Sequence, residues 1–271
     1  MSLAVAAWNV KSGLGNPETS SEIIAAVDAM DVDVAIFSEA YTAGETDNLE
    51  AALAGFRALG YTSVVHAEND DADHRLDRRA TMVISRVGGS IDVVRLVSRN
   101  AMLLELIDPD TDVRLKMVGA HLDDRRETTR VKQTTLASQL LEGDPALVVG
   151  DLNAMPRIGF RQNFLNDLRP LTTRLPYQYP TELEPKISKL NRFSNIAYRL
   201  GDMATGDAIA VLRSAGFIDA DHRYSPTFKG VAQLDHILVK RGDSEVSAAN
   251  FQRYPKKKLS DHRAISATIL T

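Results

Sequence analysis

The sequence predicts an α/β domain built on mixed sheets with antiparallel hairpins, on three observations. Apolar runs of strand length alternate with helical patterns along the chain; four such runs follow one another between residues 80 and 120 on short links; several runs end in a polar residue of catalytic type. A doubly wound parallel sheet does not contain a meander of that kind, so the sheets are mixed.

Taken in order, residues 3–8 form an apolar run that ends at Asn9. Ser20-Ser21-Glu22 opens a helical pattern with Ile23, Ile24, Val27 and Met30 on one face. A second run, 32–37, ends at Ser38-Glu39, and a helix follows over about 47–59. Residues 80–86, 91–97, 102–107 and 113–120 read as the four consecutive strands, with Gly88-Gly89 and Pro109-Asp110-Thr111-Asp112 as turns and His121 after the last. A long helix covers about 125–141, with Val131, Leu136 and Leu140 expected to face inward. The run 146–149 leads into Gly150-Asp151, and 201–216 reads as a helix stopped by glycine, with Ala208, Ile209, Leu212 and Ala215 as its apolar stripe. Residues 233–239 and 264–270 are the closing strands. No low-complexity linker or repeat divides the 271 residues, which gives one domain with a variable helical or loop insertion at about 157–230.

Composition narrows the class. A hydrophobic content of 44% with 25% charged residues is that of a soluble globular protein, and a net charge of −4 argues against holding nucleic acid by bulk electrostatics. The absence of cysteine excludes disulfides, thiolate zinc sites and a cysteine nucleophile, and matches a reducing cytosol. No signal-peptide pattern or membrane-length apolar run is visible, so a cytoplasmic monomer is expected. One stretch departs from the average: residues 157–199 carry eight Arg or Lys against three acids, with Tyr177, Tyr179, Phe193 and Tyr198 interleaved. That mixture suits phosphate contact and base stacking, and equally suits a solvated insertion whose aromatics pack on the body of the domain.

The strand ends carry the chemistry. Glu39, Asp151 and Asp261 are carboxylates and Asn9 and Asn153 are amides, a set of hard oxygen ligands that suits Mg²⁺ or Mn²⁺ completed by water and a substrate phosphate. Singly, each has a plainer reading as a turn or helix-cap residue. Ends of strands, however, are where α/β sheets build active sites, and these residues share that placement. Of six histidines, His121 follows a strand and His262 sits beside Asp261. Asp235 is a carboxylate where an apolar face is expected and needs a partner, for which a histidine is the economical choice. His236 points to the opposite face by strand alternation and reads as a core or surface histidine. No Gly-x-Ser-x-Gly elbow accompanies Ser260, and Gly13-x-Gly15 is followed by Glu18 where a dinucleotide fingerprint has its third glycine, so serine hydrolases and nucleotide-binding folds rank low.

The ordered series Trp8-Asn9, Ser38-Glu39, His121-Leu122, Gly150-Asp151-Leu152-Asn153, Leu234-Asp235-His236-Ile237 and Ser260-Asp261-His262 resembles the endonuclease/exonuclease/phosphatase superfamily. That superfamily includes type I deoxyribonucleases, apurinic endonucleases, inositol polyphosphate phosphatases, neutral sphingomyelinases, deadenylases and tyrosyl-DNA phosphodiesterases. The resemblance implies a four-layer α/β sandwich, two mixed sheets face to face with helices outside, and a Mg²⁺- or Mn²⁺-dependent phosphoesterase. It implies Glu39 as principal metal ligand, with Asn9 beside it and Asp261 in support. Asp151 and Asn153 would orient the attacking water or the scissile phosphate. His262, held by Asp235, would be general base or phosphoryl donor, and His121 would donate to the phosphate and help the leaving group depart.

Two positions depart from the family pattern. Ser38 stands where glutamine is frequent, and His236 where tyrosine or arginine is frequent. The implied substrate is a phosphate ester, possibly nucleic acid, with diester hydrolysis the leading expectation and an inositol-phosphatase type of monoesterase the alternative. A compact monoester pocket would draw on Lys11, Arg78, Arg79 or Arg125, and a catalytically inactive phosphate-binding module is a third reading. An acidic tract at 69–73 would repel a polyanion if it lined the cleft, and is expected on a loop.

Overall fold

Two six-stranded mixed sheets pack face to face in the computed structural model, which describes residues 2–42, 48–69, 79–107, 114–143, 145–156, 206–221, 223, 226–229, 232–240, 246–254 and 259–271. The first sheet contains β1 (Ser2–Asn9), β2 (Val34–Ser38), β3 (Ser63–Glu68), β4 (Ala80–Ser85), β11 (Ser247–Arg253) and β12 (Ile265–Leu270), in the order β11-β12-β1-β2-β4-β3. The second contains β5 (Gly89–Leu96), β6 (Arg99–Ile107), β7 (Arg114–His121), β8 (Ala146–Asp151), β9 (Phe217–Asp219) and β10 (Asp235–Lys240), in the order β5-β6-β7-β8-β10-β9. Each has one parallel pair among the strand pairings described, β1 with β2 and β7 with β8.

Strand alternation distributes the apolar residues between layers. From β1, Leu3, Val5 and Ala7 enter the space between the sheets, where they meet Ile36, Met117, Val149 and Ile237. Ala6 and Trp8 point the other way, under helices α1 (Pro17–Met30) and α2 (Leu49–Ala58). The outer face of the second sheet is covered by α3 (Glu127–Leu140) and α4 (Asp207–Ser214), with Val118, Val148 and Leu238 against Ala137, Ile209 and Leu212. The result is the expected four-layer sandwich.

Several details correct the sequence reading. Gly88-Gly89 is not a hairpin turn within one sheet: it carries the chain from β4 in the first sheet to β5 in the second. Helix α1 starts at Pro17, capped by Asn16, whose side chain accepts from Glu18 N at 2.9 Å, so the Ser20 start was three residues late. Edge strands β3 and β11 lacked an apolar signal because they are only half-buried or exposed. The turn at 109–112 and residues 157–205 lie outside the described residues, while α4 and β9 fall in the remainder of the span read as an insertion.

The largest correction concerns α3. Leu136 and Leu140 are both 37% exposed, and the buried face is Glu127, Arg130, Gln133, Thr134 and Ala137. Arg130 is fully buried: its Nε donates to Glu127 Oε2 at 2.7 Å and its Nη1 to the Asp123 carbonyl at 2.8 Å. The other Glu127 oxygen accepts from Ala208 N at the start of α4, and Gln133 reaches the Leu96 carbonyl and the Asp123 N–H. A buried polar face survives only when its groups find such partners, which is why apolar periodicity pointed the wrong way.

Removing one partner of a buried ion pair leaves a desolvated charge. Arg130→Met should therefore destabilise the protein by about 3 kcal/mol, and Leu136→Ala by under about 1 kcal/mol, measured from urea unfolding midpoints. Equal losses would contradict the burial assignment.

Candidate active site

One end of the sandwich collects the strand termini that the sequence singled out. In the second sheet, His121 is in register with Asp151, and Asp151 with Asp235, so three neighbouring strands present their polar residues in a row. In the first sheet Asn9 lies opposite Ser38, and Glu39 follows in a left-handed backbone conformation, φ 49°. Lys11, Ser12 and Asn153 share that conformation at the same end. It is uncommon for non-glycine residues and costs free energy that surrounding contacts must offset.

Asp151 joins the two sheets. Its Oδ2 accepts from Asn9 Nδ2 at 2.9 Å, its Oδ1 from Asn153 N at 3.0 Å, and its own N–H reaches the Ser38 hydroxyl at 3.3 Å. The hydroxyl of Ser38, the departure from the family pattern, thus accepts from the strand bearing the central acid. Gly150 allows the close approach that places Asp151: its φ is 137°, and a Cβ there would meet the Ala120 carbonyl oxygen at 2.0 Å. Burial pushes the Asp151 carboxyl up to about 7; the His262 charge opposes this and the Asp235 charge adds to it.

His262 donates or accepts at Nδ1 with Asp235 Oδ2, 2.8 Å away, and its Nε2 stands 3.7 Å from Asp151 Oδ2. The pairing of His262 with Asp235 is therefore in hydrogen-bond range, as the sequence led us to expect. Burial alone would lower the His262 pKa, but the Asp235 and Asp151 charges overrule it and raise it to about 10. Asp235 is itself fully buried and held by Thr227, whose hydroxyl accepts from both Leu234 N and Asp235 N. Ser260 fastens the terminal motif to the end of β1, donating to the Asn9 carbonyl at 2.6 Å and accepting from His262 N. Phe228 packs against the His262 ring, centroids 4.9 Å apart.

His121 occupies the opposite electrostatic setting. Arg99 Nη1 lies 3.0 Å from its Nδ1, while its Nε2 is 3.9 Å from both Glu39 Oε1 and Asp151 Oδ2. Burial and then the Arg99 charge hold the His121 pKa well below its ordinary value. Glu39 is paired with the Arg79 guanidinium, a cation at the acid expected to hold a metal. Asn153 donates one amide N–H to the Leu122 carbonyl at 3.0 Å.

Asp261 sits apart, at the rim. Its Oδ2 lies 3.6 Å from Lys11 Nζ and 3.8 Å from Lys229 Nζ, and both lysines are more than half exposed. Arg125 stands beside Asp124 with Nε 4.0 Å from its carboxylate, and Arg78 falls outside the described residues, as do the acidic residues after Asn69. His236 points to the opposite side of β10, fully buried, with Nδ1 2.7 Å from Asp219 Oδ2 and Nε2 2.9 Å from the Ala154 carbonyl. It is a core histidine that ties β9 to the loop after β8.

The donor chemistry suits a divalent cation. The potential ligand atoms of Asp151, Asp235 and His262 lie within 4.8 Å of one another, and one imidazole, His121, spans the gap between Glu39 and Asp151. Asp235 Oδ1 is buried without a hydrogen-bond partner. This buried Asp/His cluster can hold a metal ion when His262 is neutral, since an imidazolium has no lone pair to give. Sequence reasoning missed Arg99, Thr227, Phe228 and Lys229. A lone Arg before a strand or a Thr in a loop carries no motif, and only the folded contacts reveal them.

Two measurements probe this geometry. Gly150→Ala should cost about 3 kcal/mol or more in thermal unfolding, because no neighbour can yield at 2.0 Å from a backbone oxygen; a wild-type melting curve would refute the close approach. The second uses linkage. The His262 pKa is raised on folding, so the stability it contributes is full below its unfolded value near 6.5 and is lost as pH rises through about 10. The stability difference between wild type and Asp235→Asn should accordingly be largest, about 3 kcal/mol, below pH 6 and shrink toward pH 10. A difference that grows with pH would reverse the charge assignment.

The family model for the endonuclease/exonuclease/phosphatase family matches residues 6–262. No curated protein sequence matches the chain. Among solved structures, an endonuclease/exonuclease/phosphatase from Bacteroides vulgatus superposes with a TM-score of 0.64 at 13% identity, covering 100% of this chain and 99% of its own. D. rerio TDP2 complexed with single strand DNA product gives a TM-score of 0.59 at 13% identity, covering 100% and 99%. A mannosyl-6-phosphatase from Bacteroides thetaiotaomicron gives 0.57 at 15% identity, covering 99% and 100%. These likenesses are of fold. With the family match running from β1 to the terminal Ser260-Asp261-His262, the chain belongs to the endonuclease/exonuclease/phosphatase family of phosphoester hydrolases.

Proposed function

We propose that this protein is a Mg²⁺- or Mn²⁺-dependent phosphodiesterase that hydrolyses its substrate by in-line attack of water. The observation that carries the reading is the meeting of Asn9, Glu39, His121, Asp151 and the His262–Asp235 pair at one end of the sandwich. Attack on a phosphodiester builds negative charge on the equatorial oxygens and on the departing oxygen. A cation, fixed donors and an oriented water are what that charge requires.

Glu39 is the proposed principal metal ligand, with Asn9 beside it and Asp261 in support; the bound ion would polarise the phosphoryl oxygen. Asp261 is the outlying member, and its support requires Lys11 and Lys229 to turn toward the substrate. The raised pKa of Asp151, about 7, suits a carboxylate that takes the proton of the attacking water near neutral pH. Asn153, whose N–H braces that carboxylate, holds the phosphate with its remaining amide donor. His262 at about 10 is an imidazolium at neutral pH, and so is assigned as the charged donor to the phosphoryl oxygens. His121 donates a second hydrogen bond. As the phosphorus–oxygen bond to the leaving alcohol breaks, the departing oxygen takes up a proton from solvent or from the site.

The test is hydrolysis of bis-p-nitrophenyl phosphate, p-nitrophenyl phosphate, abasic DNA, single-stranded DNA and sphingomyelin, each with Mg²⁺ and with chelator. Chelator-sensitive turnover of a diester is expected. Faster turnover of the monoester would select the phosphomonoesterase instead, and activity that resists chelator, or none on any ester, would overturn the metal-hydrolase reading. Glu39→Ala, Asp151→Asn and His262→Ala should each lower kcat by about two to four powers of ten while retaining the fold by circular dichroism. Near-normal turnover by two of the three would sink the assignment.

A further inference from the structure

Strand β10 opens with two consecutive polar side chains on opposite faces. Asp235 turns to His262, and His236 turns to the other side of the sheet, where it is fully buried. Both of its ring nitrogens meet acceptors: Nδ1 lies 2.7 Å from Asp219 Oδ2, and Nε2 lies 2.9 Å from the Ala154 carbonyl oxygen. Gln233 Nε2 stands at the limit of range, 3.5 Å from Nδ1, and has its own acceptor in Asp219 Oδ2 at 3.2 Å. A carboxylate and a carbonyl accept, so each short contact takes its proton from the ring.

We infer that His236 is a positioning residue that donates from both ring nitrogens, and that its Nε2–H holds the turn at 151–154 in the shape the site requires. The turn is tied to the β10 segment at both ends. Leu152 N donates to the Leu234 carbonyl at 2.8 Å at the entry, and the Ala154 carbonyl accepts from His236 at the exit. Between them Asn153 is held in the left-handed conformation, φ 48°, which contacts on either side must offset. Its N–H braces Asp151 Oδ1 and its side chain donates to the Leu122 carbonyl. Asp219 fixes the donor in turn: its Oδ2 takes the Nδ1 proton, its Oδ1 accepts from Asp221 N at 3.0 Å, and its charge offsets that of the buried ring. A flipped imidazole would set carbon atoms against both acceptors, so the ring has one orientation. The departure from the family pattern at this position thereby has a physical role in this chain.

The consequence for catalysis rests on the phosphoesterase reading above, while the hydrogen bonding does not. Asp151 and Asn153 are the groups assigned there to the attacking water and the phosphate, and His236 reaches them only through the backbone. Adjacent residues of one strand thus serve two parts of the site, Asp235 through His262 and His236 through the turn after β8. A small displacement of such groups is enough to lower turnover steeply.

Asparagine and glutamine separate the two bonds, because the amide nitrogen of asparagine falls near the Nδ1 of a histidine and that of glutamine near its Nε2. His236→Gln keeps a donor for Ala154, and His236→Asn keeps one only for Asp219. In the ¹⁵N-labelled full chain, long-range ¹H–¹⁵N correlation at neutral pH should show two pyrrole-type nitrogens on the ring identified by its through-space contact with Ala154. The backbone amide signals of Asn153 and Ala154 should move in His236→Asn and stay near their wild-type positions in His236→Gln. On whichever ester the wild type hydrolyses, His236→Asn should lower kcat by about 100-fold with a smaller change in KM, and His236→Gln by less than about tenfold. A pyridine-type nitrogen on the wild-type ring, which needs no folded variant to detect, would overturn the inference. Equal losses in the two folded variants would reduce His236 to core packing and overturn it as well. If the ring and amide signals behave as expected but the wild type cleaves no phosphate ester, the proposed function falls and the hold of His236 on the turn stands.

Discussion

The constraint on which this fold turns is the burial of the Asp151 carboxylate between two sheets. A carboxylate that is 1% exposed cannot remain charged without compensating donors. Asn9 supplies one from the other sheet and Asn153 another from the loop beyond, so solvating this one group fixes how the two sheets meet at the active end. The same demand explains Gly150, the only residue type that lets the backbone of β8 come so close to Ala120 and turn Asp151 into the gap. It also explains Ser38, whose hydroxyl accepts the Asp151 N–H from the neighbouring sheet. Placement of the proposed catalytic acid and sheet packing are here a single requirement.

Around that acid the two imidazoles are driven in opposite directions. Burial and then cationic Arg99 hold His121 neutral, while Asp235 and Asp151 overcome burial to hold His262 charged. Both rings are buried and lie within 4 Å of the same Asp151 oxygen, so their unlike second partners, Arg99 and Asp235, do much to set them apart. Pairs of titratable groups whose surroundings push them apart are a mark of divided acid and base roles. The separation also limits repulsion, since two imidazolium ions beside one carboxylate would leave an excess positive charge in a buried space.

Much of this was legible in the sequence, and the reason is physical. A residue of catalytic type at the end of an apolar run is visible because strand periodicity stops there, and Asn9, Glu39, His121 and Asp151 all announce themselves that way. Asp235 was visible for the opposite reason, as a charge inside an apolar strand that must have a partner. Arg99 and Thr227 gave no signal. Each acts through one long-range contact, to His121 or to the start of β10, that no local pattern encodes. The same holds for α3. Periodicity predicts Val131, Leu136 and Leu140 for its inward face, because an apolar stripe is ordinarily what a helix buries. The error shows where the fold spends polar burial: Arg130 and Gln133 are turned inward to hold the Asp123 backbone.

That polar layer under α3 connects stability to the site. Asp123 is held through its carbonyl by Arg130 and through its N–H by Gln133, and its own side chain accepts from Arg125 N and Arg126 N. The short segment from His121 to Arg126 is thereby fixed at both its backbone and its side chains. Glu127 extends the brace to α4, which covers the same sheet. An apolar helix face would bury more surface and hold the helix more cheaply, but it could not set the backbone of a six-residue loop. Hydrogen bonds are directional where hydrophobic contact is not. The loop follows directly on His121 at the end of β7 and, through Asp124, sets the orientation of Arg99. The donor role proposed for His121 calls for that directional support, and α3 gives up an apolar face to provide it.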